Sequence, residues 1–213
     1  MRLDHLSYAA GAEGLASCVQ RLGSRLGAGF TDGGLHPGFG TRNFVLPMAG
    51  GCYVEVVEAL DHPAADTAPF GRAVKARAEA GGGWLGWVIG VDDIAVVESR
   101  LGRSSVDGHR RRPDGFDLLW RQVGLADLAE DPQRPFFIQW LTDAGHHPSV
   151  GAGTVALTEL EIAGAEHAVE QYLGVSTLHL LDGVRVQWLQ PGDEGTGMRA
   201  ATFTTAAGPV RID

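Results

Sequence analysis

Two short strands of the sequence contain side chains that can transfer a proton. His5 lies in "LDHLSYAA" and Glu55 in "YVEVVEA", and both segments are apolar enough to be buried strands. Because side chains alternate along a strand, His5 shares a face with Ser7, and Glu55 shares one with Tyr53. Taken alone, His5 is best explained as a hydrogen-bonded core histidine. The presence of Glu55 in the same predicted unit favours a catalytic role instead, in which either group acts as a general base.

The segment "LHPGFGTRNF", residues 35–44, has the composition of a ligand-binding loop. A phosphate-binding glycine loop leads into a helix N-terminus, whose amides contact the anion. This segment leads into a strand, "NFVLPM", so it is not predicted to bind phosphate. We expect a rim on which His36, Thr41, Arg42 and Asn43 orient a polar ligand. The alternative is that Thr41 and Asn43 only satisfy backbone groups at the strand entry.

The elements that must position these residues recur along the chain. Segments 85–102 and 157–174 have the same length, and 3–23 is a slightly longer version. Each predicts a short apolar strand, a polar break, an amphipathic helix and a closing Leu-Gly. The chain is therefore expected to contain repeated units with one order of elements.

Predicted strands follow each of these helices, and their spacing also repeats. The distance from Asp114 to Trp120 recurs between Asp182 and Trp188. The pattern predicts an α+β fold of three βαβββ units. Their bounds are 1–62 and 82–145, joined by a linker helix at 68–83, and then 154–213. The first two units, within residues 1–150, are expected to form a cupped mixed sheet around a cavity, and the third to be a separate C-terminal unit.

Strand alternation predicts which side chains face this cavity. The polar members of the inward set are His5, Ser7, Glu55, Gln122 and Gln139. The aromatic residues expected to contact a ligand are Tyr53, Trp84, Trp120 and Phe137. An aromatic cavity with a few polar groups is typical of a site for a small organic molecule.

The order of the motifs resembles the vicinal oxygen chelate superfamily, and within it the glyoxalase-like domain proteins, relatives of glyoxalases, bleomycin-resistance proteins and dioxygenases. The matching motifs are "LDH", "HPGFGTRN", "YVEVVE", "GWVIGVDD", "RRRPDG" and "PFFIQW". The resemblance covers residues 1–150 well and the C-terminal part weakly. It implies a small-molecule enzyme of the lyase, isomerase or dioxygenase type.

The resemblance also implies a divalent metal, bound at positions that correspond to His5, Glu55, Gly86 and Gln139. Gly86 has no side chain, and an amide oxygen is a weaker ligand than a carboxylate. The implied metal ligands are therefore His5, Glu55 and Gln139, completed by water or substrate, for Mn²⁺, Fe²⁺, Ni²⁺, Zn²⁺ or Mg²⁺. The alternative is a metal-free protein of the same fold that binds and sequesters a drug or metabolite, which the glycine at 86 favours.

Composition and charge limit the classes of partner. A net charge of −9 argues against a nucleic-acid-binding protein. The basic run at 109–112 is expected to be a solvated turn or a clamp for one small anion. Cys18 and Cys52 do not form a disulfide pattern, which agrees with a reducing cytoplasm. No segment has the apolar length of a membrane span, so the expected partner is a small molecule.

Two further expectations concern the C-terminal half. His146 and His147, in a glycine-rich loop, are interpreted as a solvated turn. The third unit has no partner unit within the chain, and its sheet needs cover. We therefore expect either a homodimer in which the third units meet, or packing of the third unit against the first two.

Overall fold

The computed structural model describes residues 1–151, 153–181 and 183–213, so Asp182 and its spacing to Trp188 lie outside the described residues. The strands are β1 (Arg2–Ala9), β2 (Thr31–His36), β3 (Thr41–Pro47), β4 (Tyr53–Ala59), β5 (Gly83–Gly90), β6 (Val106–Arg111), β7 (Asp117–Val123), β8 (Phe136–Trp140), β9 (Ala156–Ala163), β10 (Arg185–Leu189), β11 (Gly197–Thr205) and β12 (Gly208–Ile212). The helices are α1 (Gly14–Leu26), α2 (Pro63–Thr67), α3 (Pro69–Glu79), α4 (Ile94–Leu101), α5 (Asp127–Glu130), α6 (Glu166–Leu173) and α7 (Thr177–Leu180).

The first eight strands form a closed barrel in the order β1-β4-β3-β2-β6-β7-β8-β5. Each half of the barrel is one βαβββ repeat, and the predicted α+β fold of repeated units is confirmed. The halves meet at two seams. The β1–β5 seam is long and antiparallel, whereas the β2–β6 seam is registered only at Leu35 and Arg111. Of the two seams, the β2–β6 seam therefore has the less extensive strand pairing.

The last four strands form a second sheet, in the order β10-β9-β11-β12. This sheet packs against the outside of β5, where the Phe203 ring lies 6.3 Å from that of Trp84. The Trp84 indole also donates a hydrogen bond to the carbonyl of Ile212, at 2.9 Å. The apolar side of the second sheet is therefore covered within the chain, which is one of the two arrangements that the sequence predicted. The homodimer stays a prediction.

Two register shifts interrupt the alternation of the β1–β5 seam. Between Leu3 and His5 the extra residue is Asp4, on β1. Between Ser7 and Tyr8 the extra residue is on β5, at Leu85. A bulge of this kind places two residues opposite one and changes the face on which later side chains lie.

In two of the three repeats, the helix ends at the glycine that the sequence predicted. Asp93 caps α4 by accepting a hydrogen bond from the amide of Ala95, and Gly102 ends this helix in the left-handed conformation. Gly174 ends α6 in the same way. The first Leu-Gly does not end α1, which continues to Leu26 because that residue extends the buried face of the helix. Among the described residues, no helix combines the length and apolarity needed to cross a bilayer.

Candidate functional site

His5 and Glu55 face each other inside the barrel. His5 Nε2 lies 3.7 Å from Glu55 Oε1, and both side chains are buried. The parallel β1–β4 pairing places His5 opposite Tyr53 and Ser7 opposite Glu55, so all four project from one face. The Tyr53 ring stacks on the imidazole at 4.5 Å between centroids and restricts its rotation.

The carboxylate of Glu55 is held by two donors. Ser7 Oγ donates to Oε1 at 2.5 Å, and Asn43 Nδ2 donates to Oε2 at 2.8 Å. Burial raises the pKa of Glu55, but its electrostatic interaction with His5 and these hydrogen bonds outweigh burial, so that the pKa lies below the ordinary value. Glu55 is therefore an ionised, well-positioned base.

A second carboxylate orients His5 from behind. Asp4 Oδ1 bonds His5 Nδ1 at 2.7 Å, and Asp4 Oδ2 accepts from Trp140 Nε1 at 3.0 Å. Burial raises the pKa of Asp4, but hydrogen bonds from His147 and His5 bring it well below the ordinary value. An ionised Asp4 keeps the proton of His5 on Nδ1, so that Nε2 is the nitrogen directed towards Glu55.

His147 completes this arrangement, and its interpretation as part of a solvated turn was wrong. Its side chain is buried, and its Nε2 lies 3.1 Å from Asp4 Oδ2. Its Nδ1 lies 2.7 Å from Ser149 Oγ. The loop after β8 therefore folds back over the end of β1, a contact between residues that are 143 positions apart.

The chamber in front of His5 and Glu55 is small and mostly aromatic. Its volume is about 30 Å³. Its apolar walls are formed by Phe39, Phe70, Trp120, Leu125, Phe136, Ile138 and Trp140. His36 lies in the wall with its Nδ1 2.9 Å from Thr41 Oγ1, and burial lowers the pKa of His36 to about 3. This imidazole is therefore neutral at physiological pH.

Three side chains that line this chamber each have one buried polar atom without a hydrogen-bond partner among the described residues. These atoms are Asn43 Oδ1, Arg110 Nε and Gln122 Nε2. Trp120 Nε1 donates to Gln122 Oε1 at 2.8 Å, which leaves the amide nitrogen free to donate. Buried polar atoms are normally paired, so three unpaired atoms around one cavity indicate a ligand-binding site.

The segment 35–44 forms the hairpin turn between β2 and β3 at the edge of this chamber. His36 and Asn43 line the chamber, and Thr41 contacts it only through His36. Phe39 also lines it, although the sequence prediction did not include this residue. Arg42 was predicted to contact ligand, but its guanidinium points outward and pairs with Asp32 at 3.2 Å. It lies on the opposite face of β3 from Asn43, as strand alternation requires.

Trp84 was predicted to face the cavity and does not. Its indole packs on Phe203 and hydrogen-bonds to Ile212, on the outside of the barrel. The cause is the bulge at Leu85, which reverses the face of the residues before it relative to Val88. Alternation counted from the sequence could not include an extra residue.

Phe137 and Gln139 are also on the outside, because β8 has the opposite face inward from the one predicted. Phe137 packs against Tyr172 of α6, at 5.7 Å between ring centroids. Gln139 accepts from the amide of Ile94 at 3.1 Å and donates to the carbonyl of Asp92 at 2.9 Å, at the start of α4. The inward residues of this strand are Phe136, Ile138 and Trp140.

The divalent metal implied by the resemblance does not fit these residues. Gln139 is directed away from the chamber, so the third implied ligand is missing. At Gly86, a side chain would meet Leu128 Cδ2 at 2.7 Å, so an apolar group occupies the fourth position. Within the described residues, no group of three His, Cys, Asp or Glu side chains is arranged to bind a metal ion.

The two remaining implied ligands are committed to other partners. Both oxygens of Glu55 already accept hydrogen bonds from Ser7 and Asn43, and His5 Nδ1 is occupied by Asp4. Structural and catalytic zinc sites use at least three protein donors as a rule, and Mg²⁺ is bound through carboxylate oxygens that are free to coordinate it. One imidazole nitrogen and one hydrogen-bonded carboxylate do not meet that requirement.

Arg110, Asp4 and His147 are the main site residues that the sequence analysis missed. Arg110 belongs to the basic run 109–112, and alternation along β6 indicates that it is inward while its neighbours are outward. That signal was available from the sequence. Asp4 and His147 gave no such signal, because one is a bulge residue and the other reaches the site from a distant loop.

The comparisons with known proteins agree with this architecture. A family model described as a glyoxalase-like domain matches residues 3–176. The chain belongs to the glyoxalase-like domain family. The match spans both barrel repeats and reaches into the third unit, and the predicted resemblance to the glyoxalase-like domain proteins is confirmed. No curated protein matches the sequence.

Solved structures are similar to this glyoxalase-like protein in fold. A hypothetical protein from Staphylococcus aureus is 13% identical, with a TM-score of 0.62, and the match covers 100% of this chain and 85% of that one. Methylmalonyl-CoA epimerase from Mycobacterium tuberculosis is 15% identical, with a TM-score of 0.44, covering 65% of this chain and 86% of that chain. The likeness to the Staphylococcus aureus protein supports the fold alone.

Proposed function

We propose that this glyoxalase-like protein is an enzyme that moves a proton on a small carbonyl compound, with His5 and Glu55 as the acid–base pair. The supporting observation is the 3.7 Å separation of His5 Nε2 and Glu55 Oε1 in a chamber whose lining side chains include unpartnered polar atoms. Two titratable groups aimed at one small space are the arrangement that proton transfer requires.

The chemistry assigned to each group follows from its partners. Glu55, ionised and held by Ser7 and Asn43, removes a proton from a carbon next to the carbonyl, and the electron pair moves onto the carbonyl oxygen. The proton that Glu55 takes passes to Nε2 of His5, which Asp4 orients through Nδ1, and His5 delivers it to the neighbouring carbon or back to the same carbon. The net reaction is an isomerisation or epimerisation, and loss of a leaving group from the same intermediate would make it a lyase reaction. No step is assigned to a metal, because the donor set does not fit one.

Exchange of carbon-bound protons with solvent tests this proposal. In D₂O, the wild-type protein should incorporate deuterium next to the carbonyl of its substrate, detected by NMR across a panel of short oxo compounds. Glu55→Gln and His5→Asn should each slow the exchange roughly 10²-fold or more, the usual effect of removing a general base or acid. Glu58→Gln, the same change on the same strand outside the chamber, is the matched control.

A second candidate function is sequestration of a small aromatic molecule. The observation that favours it is the aromatic wall formed around Phe39, Phe70 and Trp120. Under this function, Glu55→Gln would bind the ligand as tightly as the wild-type protein, and neither would catalyse exchange. The exchange experiment therefore separates the two functions.

A further inference from the structure

Arg110 is a buried cation without a counter-ion. Its side chain is 3% exposed, and no Asp or Glu oxygen of the described residues lies within 4.0 Å of its nitrogens. Its neighbours on the chain differ: Arg111 lies 3.6 Å from Asp117, and Arg112 lies 2.6 Å from Asp114. Burying a charge without a partner costs free energy that proteins usually avoid. A bound anion would supply that partner.

Glu55, on the other side of the chamber, does not act as this partner. It is farther than 4.0 Å from Arg110, and its oxygens accept from Ser7 and Asn43 while Oε1 also faces His5. Burial lowers the pKa of Arg110, the direction expected of a cation that lacks a close counter-charge. Because a guanidinium remains charged in proteins, Arg110 still requires an anion.

Two amides of the chamber wall also have an unpaired atom, and Asn43 is the one beside Arg110, whereas Gln122 lies on the other side of Trp120. Gln122 presents an unpaired donor, Nε2, and Asn43 presents an unpaired acceptor, Oδ1. A Cβ at Gly33 would lie 2.1 Å from Asn43 Oδ1 and 3.1 Å from Arg110 Nη1, so these two groups crowd the same spot. The ligand therefore needs an anionic group for Arg110 and a hydroxyl that donates to Asn43.

Arg110 also lies between two spaces. It lines the inner chamber of about 30 Å³ and an outer cleft of about 660 Å³, which is formed with Arg112 and His146. The β2–β6 seam beside it is registered at one residue pair only. This is the side on which wall groups can separate to admit a molecule of a few carbons, and a carboxylate bound there would still face the outer cleft.

We propose that the ligand is a short hydroxy-carboxylic acid, with its carboxylate bound by Arg110 and its hydroxyl donating to Asn43 Oδ1. This inference rests on the proposed function, which adds a carbonyl next to the reacting C–H bond. The substrate class is then a hydroxy-oxo acid of three or four carbons. Glu55 takes the proton from the carbon that bears the hydroxyl, and the hydroxyl proton shifts to the carbonyl oxygen in the enediolate that forms. The proton on Glu55 passes to Nε2 of His5 and from there to the neighbouring carbon, while the former hydroxyl oxygen becomes the new carbonyl. Atoms and electrons therefore balance without an oxidant.

Binding tests this inference separately from catalysis. The Glu55→Gln protein, which lacks the proposed base, is titrated with lactate, propionate, lactamide and inorganic phosphate, and binding is followed by thermal shift and calorimetry. Lactate should bind at least tenfold more tightly than propionate, which lacks the hydroxyl, and than lactamide, which lacks the charge. Equal binding of lactamide and lactate would overturn the inference, as would phosphate binding more tightly than lactate. The inference would also be overturned if none of the acids changed the midpoint of thermal unfolding.

Substitutions of Arg110 give the second test. Arg110→Met in the Glu55→Gln background should abolish lactate binding, and Arg111→Gln, on the opposite face of β6, should leave it unchanged. Because the cation is unpaired, the ligand-free Arg110→Met protein should be at least as thermally stable as its parent. If it is less stable, the guanidinium already has its partner within the protein and the inference is wrong. If lactate binds as predicted but no oxo acid exchanges protons, the anion site stands and the proposed function fails.

Discussion

At the scale of single residues, the site depends on buried groups whose charge is set by their partners. His36 is the clearest case, because burial lowers its pKa from 6.5 to about 3. A histidine with a depressed pKa stabilises the fold in its neutral form. That contribution is complete above pH 6.5 and is lost as the pH falls from 6.5 towards 3, because the unfolded chain takes up the proton first.

The first prediction is that unfolding free energy falls below pH 6.5 at a slope of up to about 1.4 kcal/mol per pH unit from this residue alone. His36→Gln, which can still bond Thr41, should flatten the curve between pH 6.5 and 5. His179→Gln, an exposed histidine, should not. Urea unfolding at a series of pH values measures this, and equal slopes in wild type and His36→Gln would contradict it.

At this scale, alternation predicted the inward placement of His5, Tyr53, Glu55 and Trp120. The pairings of β4 and β7 have no register shift, and His5 lies on the regular segment between the two bulges of the β1–β5 pairing. It did not predict the Asp4–His147 contact, because a hydrogen bond between residues 143 positions apart has no local signature. Hydrogen-bond partners of this kind come from the closed barrel, not from one strand.

At the scale of elements, the β2–β3 turn holds Phe39 in the chamber wall. Gly40 has a φ of +62°, and a Cβ there would lie 2.4 Å from the backbone nitrogen of Ala65. Gly38, two residues earlier, has no atom within 4 Å of that position. The same turn therefore contains a glycine that the packing requires and one that it does not.

The second prediction is that Gly40→Ala destabilises the protein by about 1–3 kcal/mol, from backbone strain and the clash with α2. Gly38→Ala should change stability by less than about 0.5 kcal/mol. Chemical denaturation of the two variants is the measurement. Similar losses in both would mean that the turn is not packed against α2 in this way.

Elements also explain which part of the barrel could be predicted. The three repeats and their element order follow from hydrophobic periodicity and the Leu-Gly signals. The two bulges in the β1–β5 pairing cannot be predicted in this way, because they accommodate the curvature of the closed barrel. As a result, the prediction for Trp84 was wrong although the strand itself was correctly identified.

At the scale of the whole molecule, the third unit and the barrel share one hydrophobic core. Phe203 of β11 is fully buried against Trp84 of β5, and Tyr172 of α6 contacts Phe137 of β8. Since the outward aromatic residues of the barrel are covered by this unit, the two parts should unfold together.

The third prediction is that Phe203→Ala lowers the unfolding free energy by about 3–5 kcal/mol and that the protein still unfolds in a single transition. Leu178→Ala, at an exposed position of the same unit, should have little effect. Calorimetry distinguishes these results, and two separate transitions in the wild-type protein would show that the units are independent.

The homodimer predicted from the sequence also belongs to this scale. The apolar side of the third unit's sheet is covered within the chain, which removes one reason to expect a dimer. However, β10 and β12 remain the edge strands of that sheet. If the third units meet, light scattering will give twice the mass of the chain, and charged substitutions on β10 will reduce it to the mass of a monomer. A monomer at all concentrations would contradict the dimer.

The central claim is that His5 and Glu55 move a proton without a metal bound between them. The most direct measurement is the rate of deuterium incorporation into a hydroxy-oxo acid by protein that has been treated with a chelator and then supplied with Mn²⁺, Fe²⁺, Ni²⁺, Zn²⁺ or Mg²⁺. The account predicts the same rate with and without metal, a loss of roughly 10²-fold or more in Glu55→Gln, and no loss in Glu58→Gln. A rate that disappears on chelation and returns with one metal would contradict it, as would full activity in Glu55→Gln.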